Sequence, residues 1–294
     1  MKYLSFELPD GRRRVGALAS PDTIVDLTAA MDLPDLLTLV RRHGQLAGDI
    51  AQRVAQARHT VALSTVRVLA PLPNPPRNVF CVGKNYHEHA REFAQSGFDS
   101  SAAAGAIPAA PIIFSKPASS ISGPGDAIDS ALDPCDSVDY EAELAVVIGK
   151  AGRVAAGDDP WSFVFGYTLV NDVTSRGLQK RHSQWLLGKG IDGFCPMGPT
   201  LVTADEIDDI GALRIACEVN GEPRQSARLS DLIFDIPTLV RAIGASITLQ
   251  PGDIIATGTP VGVGIGFTPP RYLRPGDVVR VRAEPIGVLE NPVI

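Results

Sequence analysis

Cysteine is scarce in this chain. Its four cysteines, at positions 81, 135, 195 and 217, are scattered, with no Cys-x-x-Cys pair and no Cys/His cluster at zinc spacing. That argues against a disulfide scaffold or a structural zinc site, and reads as reduced, buried thiols in a cytoplasmic protein. Basic residues never cluster beyond Arg12-Arg13-Arg14 and the net charge is -6 at pH 7. Nucleic acid is therefore not an expected partner. No apolar run approaches the roughly 20 residues that span a membrane. The opening Met1-Lys2-Tyr3-Leu4-Ser5-Phe6-Glu7 turns polar too early for a secretory signal. There is no Walker loop, no Gly-x-Gly-x-x-Gly before a helix and no serine nucleophile elbow.

Turns are abundant instead. The 28 glycines and 24 prolines make roughly 18% of the chain against an average near 12%, which predicts many tight corners and a β-rich fold. With 294 residues, 20% charged and 45% hydrophobic, the composition is that of a soluble globular protein of one large domain with a small appendage. Leu4–Leu8 and Arg14–Leu18 read as a hairpin turned at Asp10-Gly11. Residues 33–58 read as helix broken near Gly44 and Gly48. The stiff Pro71-Leu-Pro-Asn-Pro-Pro76 segment is the expected boundary between a small N-terminal domain (1–72) and a catalytic domain (73–294). Further helices are expected over 86–95 and 230–243, the second started by Pro237 and stopped by Gly244. A mobile loop is expected over 96–110. Pro-Gly-Asp at 124–126, 251–253 and 275–277 suits type II turns that feed strands.

The chemistry begins with two glutamates one residue apart. Asp139-Tyr-Glu-Ala-Glu-Leu-Ala-Val-Val-Ile-Gly149 reads as a strand, so Glu141 and Glu143 share a face with Ala145 and Val147. Like charges about 6 to 7 Å apart repel by roughly 2.5 kcal/mol at an effective dielectric near 20. Such a pair calls for a cation or a raised pKa. Asp172, closing the strand-like run from Phe163, is the third carboxylate. Acids without sulfur or a histidine pair favour Mg²⁺ or Mn²⁺ over zinc, and leave coordination positions that a 2-oxo acid can fill.

His89 and Glu92 stand three residues apart on the expected helix, hence on one face. A carboxylate beside an imidazole raises its basicity and fixes its tautomer, as a general base requires. His87 competes for that role but points elsewhere. Lys189, between Gly188 and Gly190, is placed to approach a ligand closely and stabilise an oxyanion. The Gly-rich run Thr257–Gly264 can cradle a carboxylate with backbone N–H groups.

Eight segments in order over about 75–294 resemble the fumarylacetoacetate hydrolase family. They are Cys81-Val-Gly-Lys-Asn-Tyr, Ile113-Phe-Ser-Lys-Pro, Gly123-Pro-Gly-Asp, Asp139-Tyr-Glu-Ala-Glu-Leu, Asn171-Asp-Val-Thr-Ser-Arg, Gly188-Lys-Gly with Cys195-Pro-Met-Gly-Pro, Thr257-Gly-Thr-Pro and Gly287-Val-Leu-Glu-Asn-Pro. The resemblance implies an α+β, β-rich architecture: a mixed β-roll or β-sandwich catalytic domain with a small N-terminal domain. It also implies a homodimer and a Mg²⁺ or Mn²⁺ site at Glu141, Glu143 and Asp172. It places a lid-borne dyad on His89 and Glu92, an active-site lysine on Lys189, and substrate contacts on Lys84, Lys116, Gln179 and Thr259. Two departures stand out. Many relatives carry Arg where this chain has Lys84, which keeps the charge but loses the two-pronged fork. Many also continue the Asp172 motif with Ala-Arg-Asp, where this chain has Thr174-Ser175-Arg176-Gly177.

The expected activity is metal-dependent hydrolysis of a C–C bond in a 2,4-dioxo acid (an acylpyruvate), giving pyruvate and a carboxylic acid. Decarboxylation of oxaloacetate, or isomerisation or hydration of a 2-oxo-dienoate, at the same site stays open. A non-catalytic relative would be marked by loss of His89 or Lys189, and both are present.

Overall fold

Short β-branched runs separated by glycine corners build two stacked sheets, described in a computed structural model for residues 1–97 and 107–294. Much of the loop expected over 96–110 lies outside the described residues. The larger sheet has twelve strands. At its centre Cys195–Thr203, Val164–Asn171 and Ala142–Ile148 run antiparallel side by side, followed by Ile254–Ala256, Val79–Gly83 and Ile112–Lys116. The smaller sheet is antiparallel, in the spatial order Glu222–Arg228, Arg214–Val219, Val278–Ala283 and Gly287–Pro292.

Ala142–Ile148 is the keel of the molecule, and all seven of its residues are buried. Leu144, Val146 and Ile148 pack with Ile215, Val219, Val279 and Val281 of the smaller sheet. Ala145 and Val147 pack on the other side with Leu36, Leu39, Val40 and Ile50 of a long helix. A strand covered on both faces carries a continuous apolar run rather than an alternating one, as this sequence does.

The N-terminal hairpin forms as expected, with Lys2–Glu7 on Arg13–Ser20 from Tyr3↔Ala17 to Glu7↔Arg13. Its first strand also pairs with Cys195–Thr203, so the residues before and after position 72 share a sheet and a core. The helix expected to break at Gly44 and Gly48 instead runs unbroken over Leu36–Gln56, capped by Asp35 accepting the Thr38 N–H at 2.6 Å. Both glycines lie on its exposed face with nothing near an added Cβ. Each costs about 1 kcal/mol of propensity, which four buried apolar side chains outweigh. The 230–243 expectation is also trimmed. Leu229–Asp231 is a single tight turn, and the α-helix is Ile236–Gly244 with Pro237 in its first turn.

Each Pro-Gly-Asp corner closes the same way. The glycines take φ of 77°, 90° and 96° at 125, 252 and 276, a left-handed conformation that favours glycine. The aspartates then accept the N–H three residues back: Gly123, Gln250 and Arg274, at 2.7, 2.8 and 2.8 Å. Among the described residues no helix is long and apolar enough to cross a membrane. All four cysteines are free thiols.

Candidate active site

Strand pairing brings the three acids together. Glu143 lies on Ala142–Ile148, Glu141 immediately before it, and Asp172 immediately after Val164–Asn171. The register sets Ala142 opposite Asn171, and the Asp172 N–H donates to the Glu141 carbonyl at 2.8 Å. One oxygen from each carboxylate lies within 4.8 Å of the others, and all three residues are buried.

Such a cluster persists only with compensation. Lys189 Nζ donates to Glu141 Oε2 and to Asp172 Oδ2, both at 2.7 Å. Arg176 Nη1 sits 2.6 Å from Glu141 Oε1, while its Nε donates to Asp139 Oδ2 at 2.9 Å. Lys116 Nζ lies 2.7 Å from Asp172 Oδ1 and donates to the carbonyls of Val173 and Lys189. Four acids, Asp139 included, thus face three cations. Glu143 forms none of these ion pairs, and its only hydrogen bond among the described residues is the Gly258 N–H at 2.8 Å.

The titration behaviour follows. Burial pushes Glu141 up, but Lys189 and Arg176 outweigh it and hold its carboxyl below the usual carboxylate range. Burial pushes Glu143 up, and the charges of Asp172 and Glu141 push it further. Burial pulls the Lys189 ammonium down, but Asp172 and Glu141 carry it above its ordinary value. An all-oxygen, buried donor set with one carboxylate that forms no ion pair among the described residues fits a hard divalent ion held by Glu141, Glu143 and Asp172.

The helix His87–Gln95 supplies the dyad. His89 Nδ1 lies 3.1 Å from Glu92 Oε2, and Glu92 Oε1 accepts the Gly262 N–H at 3.0 Å. The carboxylate accepts, so Nδ1 carries the proton in this pairing and Nε2 is left as the acceptor. His87 is exposed whereas His89 is buried.

Lys84, His89, Glu141, Glu143, Gln179, Lys189 and Thr259 line one cavity, walled by Arg176, Phe93, Phe114 and Trp185. Its free volume is about 10 Å³, room for about one water. Glu92 and Asp172 stand behind this surface. Lys116 is fully buried and committed to Asp172 and two carbonyls, so it is not brought to the cavity wall where a substrate contact was expected.

The glycines beside Lys189 act by size rather than by bending. Neither takes a positive φ. A Cβ on Gly188 would meet the Gln179 backbone at 2.6 Å, and one on Gly190 the Pro117 ring at 2.7 Å. The Ser175-Arg176-Gly177 departure also has a local cause. Ser175 Oγ caps the following helix at Leu178 N (3.3 Å) and donates to Asp133 at 2.6 Å. A Cβ at Gly177 would strike Cys135 at 2.4 Å.

Sequence reasoning missed Arg176, Asp139 and Asn85. Asn85 is fully buried and staples the start of the dyad helix to Phe234 and Thr257 through bonds of 2.8 to 3.0 Å. It follows Lys84, which is held left-handed at φ 56°. The signals for Arg176 were its place four residues after Asp172 and its presence in the Asn171-Asp-Val-Thr-Ser-Arg segment.

This double-layered sheet architecture sets a buried acid triad beside a His–Glu pair. Residues 78–294 match the family model of the fumarylacetoacetate hydrolase C-terminal domain. The chain belongs to this family and is an enzyme of it. It is 42% identical over 311 aligned positions, covering all of both chains, to the oxaloacetate tautomerase YisK of Bacillus subtilis. It superposes on a fumarylacetoacetate hydrolase from Exiguobacterium antarcticum with a TM-score of 0.83 at 41% identity, covering 100% of this chain and 99% of that one. A maleylpyruvate hydrolase from Sphingobium, in complex with manganese(II) and pyruvate, superposes at 0.80 with 32% identity over 100% and 99% of the two chains.

Proposed function

We propose that this enzyme interconverts the keto and enol forms of oxaloacetate or a close 2-oxo diacid at a Mg²⁺ or Mn²⁺ site formed by Glu141, Glu143 and Asp172. The observation that carries this is an all-oxygen acid triad, two of whose members line one cavity with a carboxylate-oriented histidine and a buried lysine. Full-length similarity to an oxaloacetate tautomerase supports the choice of substrate. When bound, the divalent ion supplies Lewis-acid polarisation of the 2-oxo acid oxygens.

His89, oriented by Glu92, takes the proton from C3 of the substrate and returns one to the C2 oxygen. Lys189 stabilises the negative charge that develops on that oxygen. Lys84, Gln179 and Thr259 bind the carboxylates, and Phe93, Phe114 and Trp185 exclude water. Lys116 supports Asp172 rather than the substrate. The family resemblance supports a homodimer as well. Sedimentation showing monomer alone at micromolar concentration would remove that part.

Hydrolysis of an acylpyruvate is the second reading. The His89–Glu92 dyad favours it, because the same base can activate a water, and the manganese-bound maleylpyruvate hydrolase supports it.

The test follows the ultraviolet absorbance of freshly dissolved enol-oxaloacetate with chelator-stripped protein reloaded with Mg²⁺ or Mn²⁺. Metal-dependent acceleration of ketonisation, reduced about 10²- to 10⁴-fold in His89→Ala, is expected. Decay at the uncatalysed rate sinks the tautomerase reading. Equal pyruvate and acetate from acetylpyruvate would install the hydrolase reading, and pyruvate with CO₂ from oxaloacetate would install a decarboxylase.

A further inference from the structure

Gln225 lies on Glu222–Arg228 of the smaller sheet, away from every element that carries an acid, a base or a lysine of the site. Yet it is 3% exposed and reaches through to Thr259 on the cavity wall. Its Oε1 accepts the Ala142 N–H, between the two metal-site glutamates, at 3.0 Å. Its Nε2 donates to Thr259 Oγ1 at 2.8 Å and to the Pro260 carbonyl at 2.6 Å. The amide has one possible orientation, because Ala142 N–H can only donate and the Pro260 carbonyl can only accept.

That orientation decides the polarity of Thr259. Its oxygen is used as an acceptor toward Gln225. The hydroxyl proton has no acceptor among the described residues, and Thr259 lines the cavity. We infer that Gln225 is a positioning residue that turns the Thr259 hydroxyl into a fixed hydrogen-bond donor, so that this wall of the site takes a carboxylate oxygen of the ligand. The inference rests on the reading of the cavity as a 2-oxo acid site.

Gln225→Glu reverses the polarity. A carboxylate still accepts from Ala142 N–H, but it also draws the Thr259 proton toward itself and leaves lone pairs facing the ligand. Gln225→Met removes the donor while keeping the shape. The probe is oxalate, titrated calorimetrically into Mn²⁺-loaded protein, with melting temperatures recorded for each variant. Loss of a hydrogen bond to a charged group predicts about ten-fold or more weaker oxalate binding in Thr259→Val and Gln225→Glu, with a smaller loss in Gln225→Met. Thr259→Ser retains affinity. In a Thr259→Val background neither Gln225 substitution weakens binding further.

Additive losses in the double variants would make Gln225 a merely structural residue and overturn the inference. So would unchanged affinity in Gln225→Met, which decides the matter should Gln225→Glu not fold. Unchanged affinity in Thr259→Val overturns the inference while leaving the reaction to be judged by enol turnover. No oxalate binding by the unmodified Mn²⁺ protein overturns both.

Discussion

Replacing Arg176 by Met should be the most damaging single change to the framework of the site. The guanidinium is 1% exposed and serves Asp139, Glu141 and Gln179 at 2.9, 2.6 and 3.2 Å. Removing one partner of a buried ion pair costs about 3–5 kcal/mol, because a buried charge is left behind. Two carboxylates are abandoned here, but each keeps other partners. Glu141 keeps Lys189, and Asp139 keeps the N–H groups of Tyr140, Gly264 and Ile265. The loss should therefore stay near a single such penalty rather than double it.

Its pH dependence has a definite sign. Burial already raises the Asp139 pKa, with Arg176 the chief opposing influence. Without Arg176 it rises further. A carboxyl with a raised folded-state pKa binds more protons folded than unfolded, so stability is regained as pH falls toward the unfolded value near 4. Urea unfolding of chelator-treated protein at pH 7.5 and 5.5 measures this. A deficit below about 1 kcal/mol, or one that does not shrink at the lower pH, refutes the electrostatic reasoning. Arg176→Lys keeps a charge but cannot fork to both acids, and should fall between the two.

Three further changes test other links. Glu143→Gln removes the acid that forms no ion pair among the described residues and keeps an acceptor for Gly258 N–H. The metal-free protein should melt about 2–4 °C higher while calorimetric Mn²⁺ binding is lost, and a lower melting temperature would contradict this. Gly262→Ala places a Cβ 2.0 Å from the Arg224 carbonyl at φ 104°. It should destabilise by about 2 kcal/mol or more and slow enol turnover by loosening the Glu92 anchor, so wild-type unfolding and turnover would argue against this packing. Burial depresses the His43 pKa where its ring meets Tyr3 and Phe165. Stability is then full above the unfolded value near 6.5 and is lost as pH falls through the depressed one. Urea midpoints of wild type and His43→Gln should diverge between pH 7.5 and 5.5, and parallel curves would discard this.

The acid pair was legible because alternation in a strand is local geometry: position i and i+2 share a face whatever surrounds them. The same holds for His89 and Glu92, one helical turn apart, and for the three Pro-Gly-Asp corners. Gly44 and Gly48 misled because propensity is weak beside the burial of Leu36, Leu39, Val40 and Ile50. For Lys116, motif membership does not say whether a side chain reaches the cavity or, as here, pairs with Asp172 behind it.

The sequence by itself determined which residue types could do the chemistry and the local spacings that pair them. It determined the excess of turns, the buried central strand and the absence of cysteine or histidine ligands that would suit zinc. Only the tertiary structure decided which charges meet. Arg176 joins Asp139 to Glu141, Gln225 crosses from the second sheet to Thr259, and Asn85 ties the dyad helix to Thr257 across 172 positions of chain. Such contacts are set by sheet register and layer packing, which depend on the whole chain at once and leave no periodic trace near any one residue.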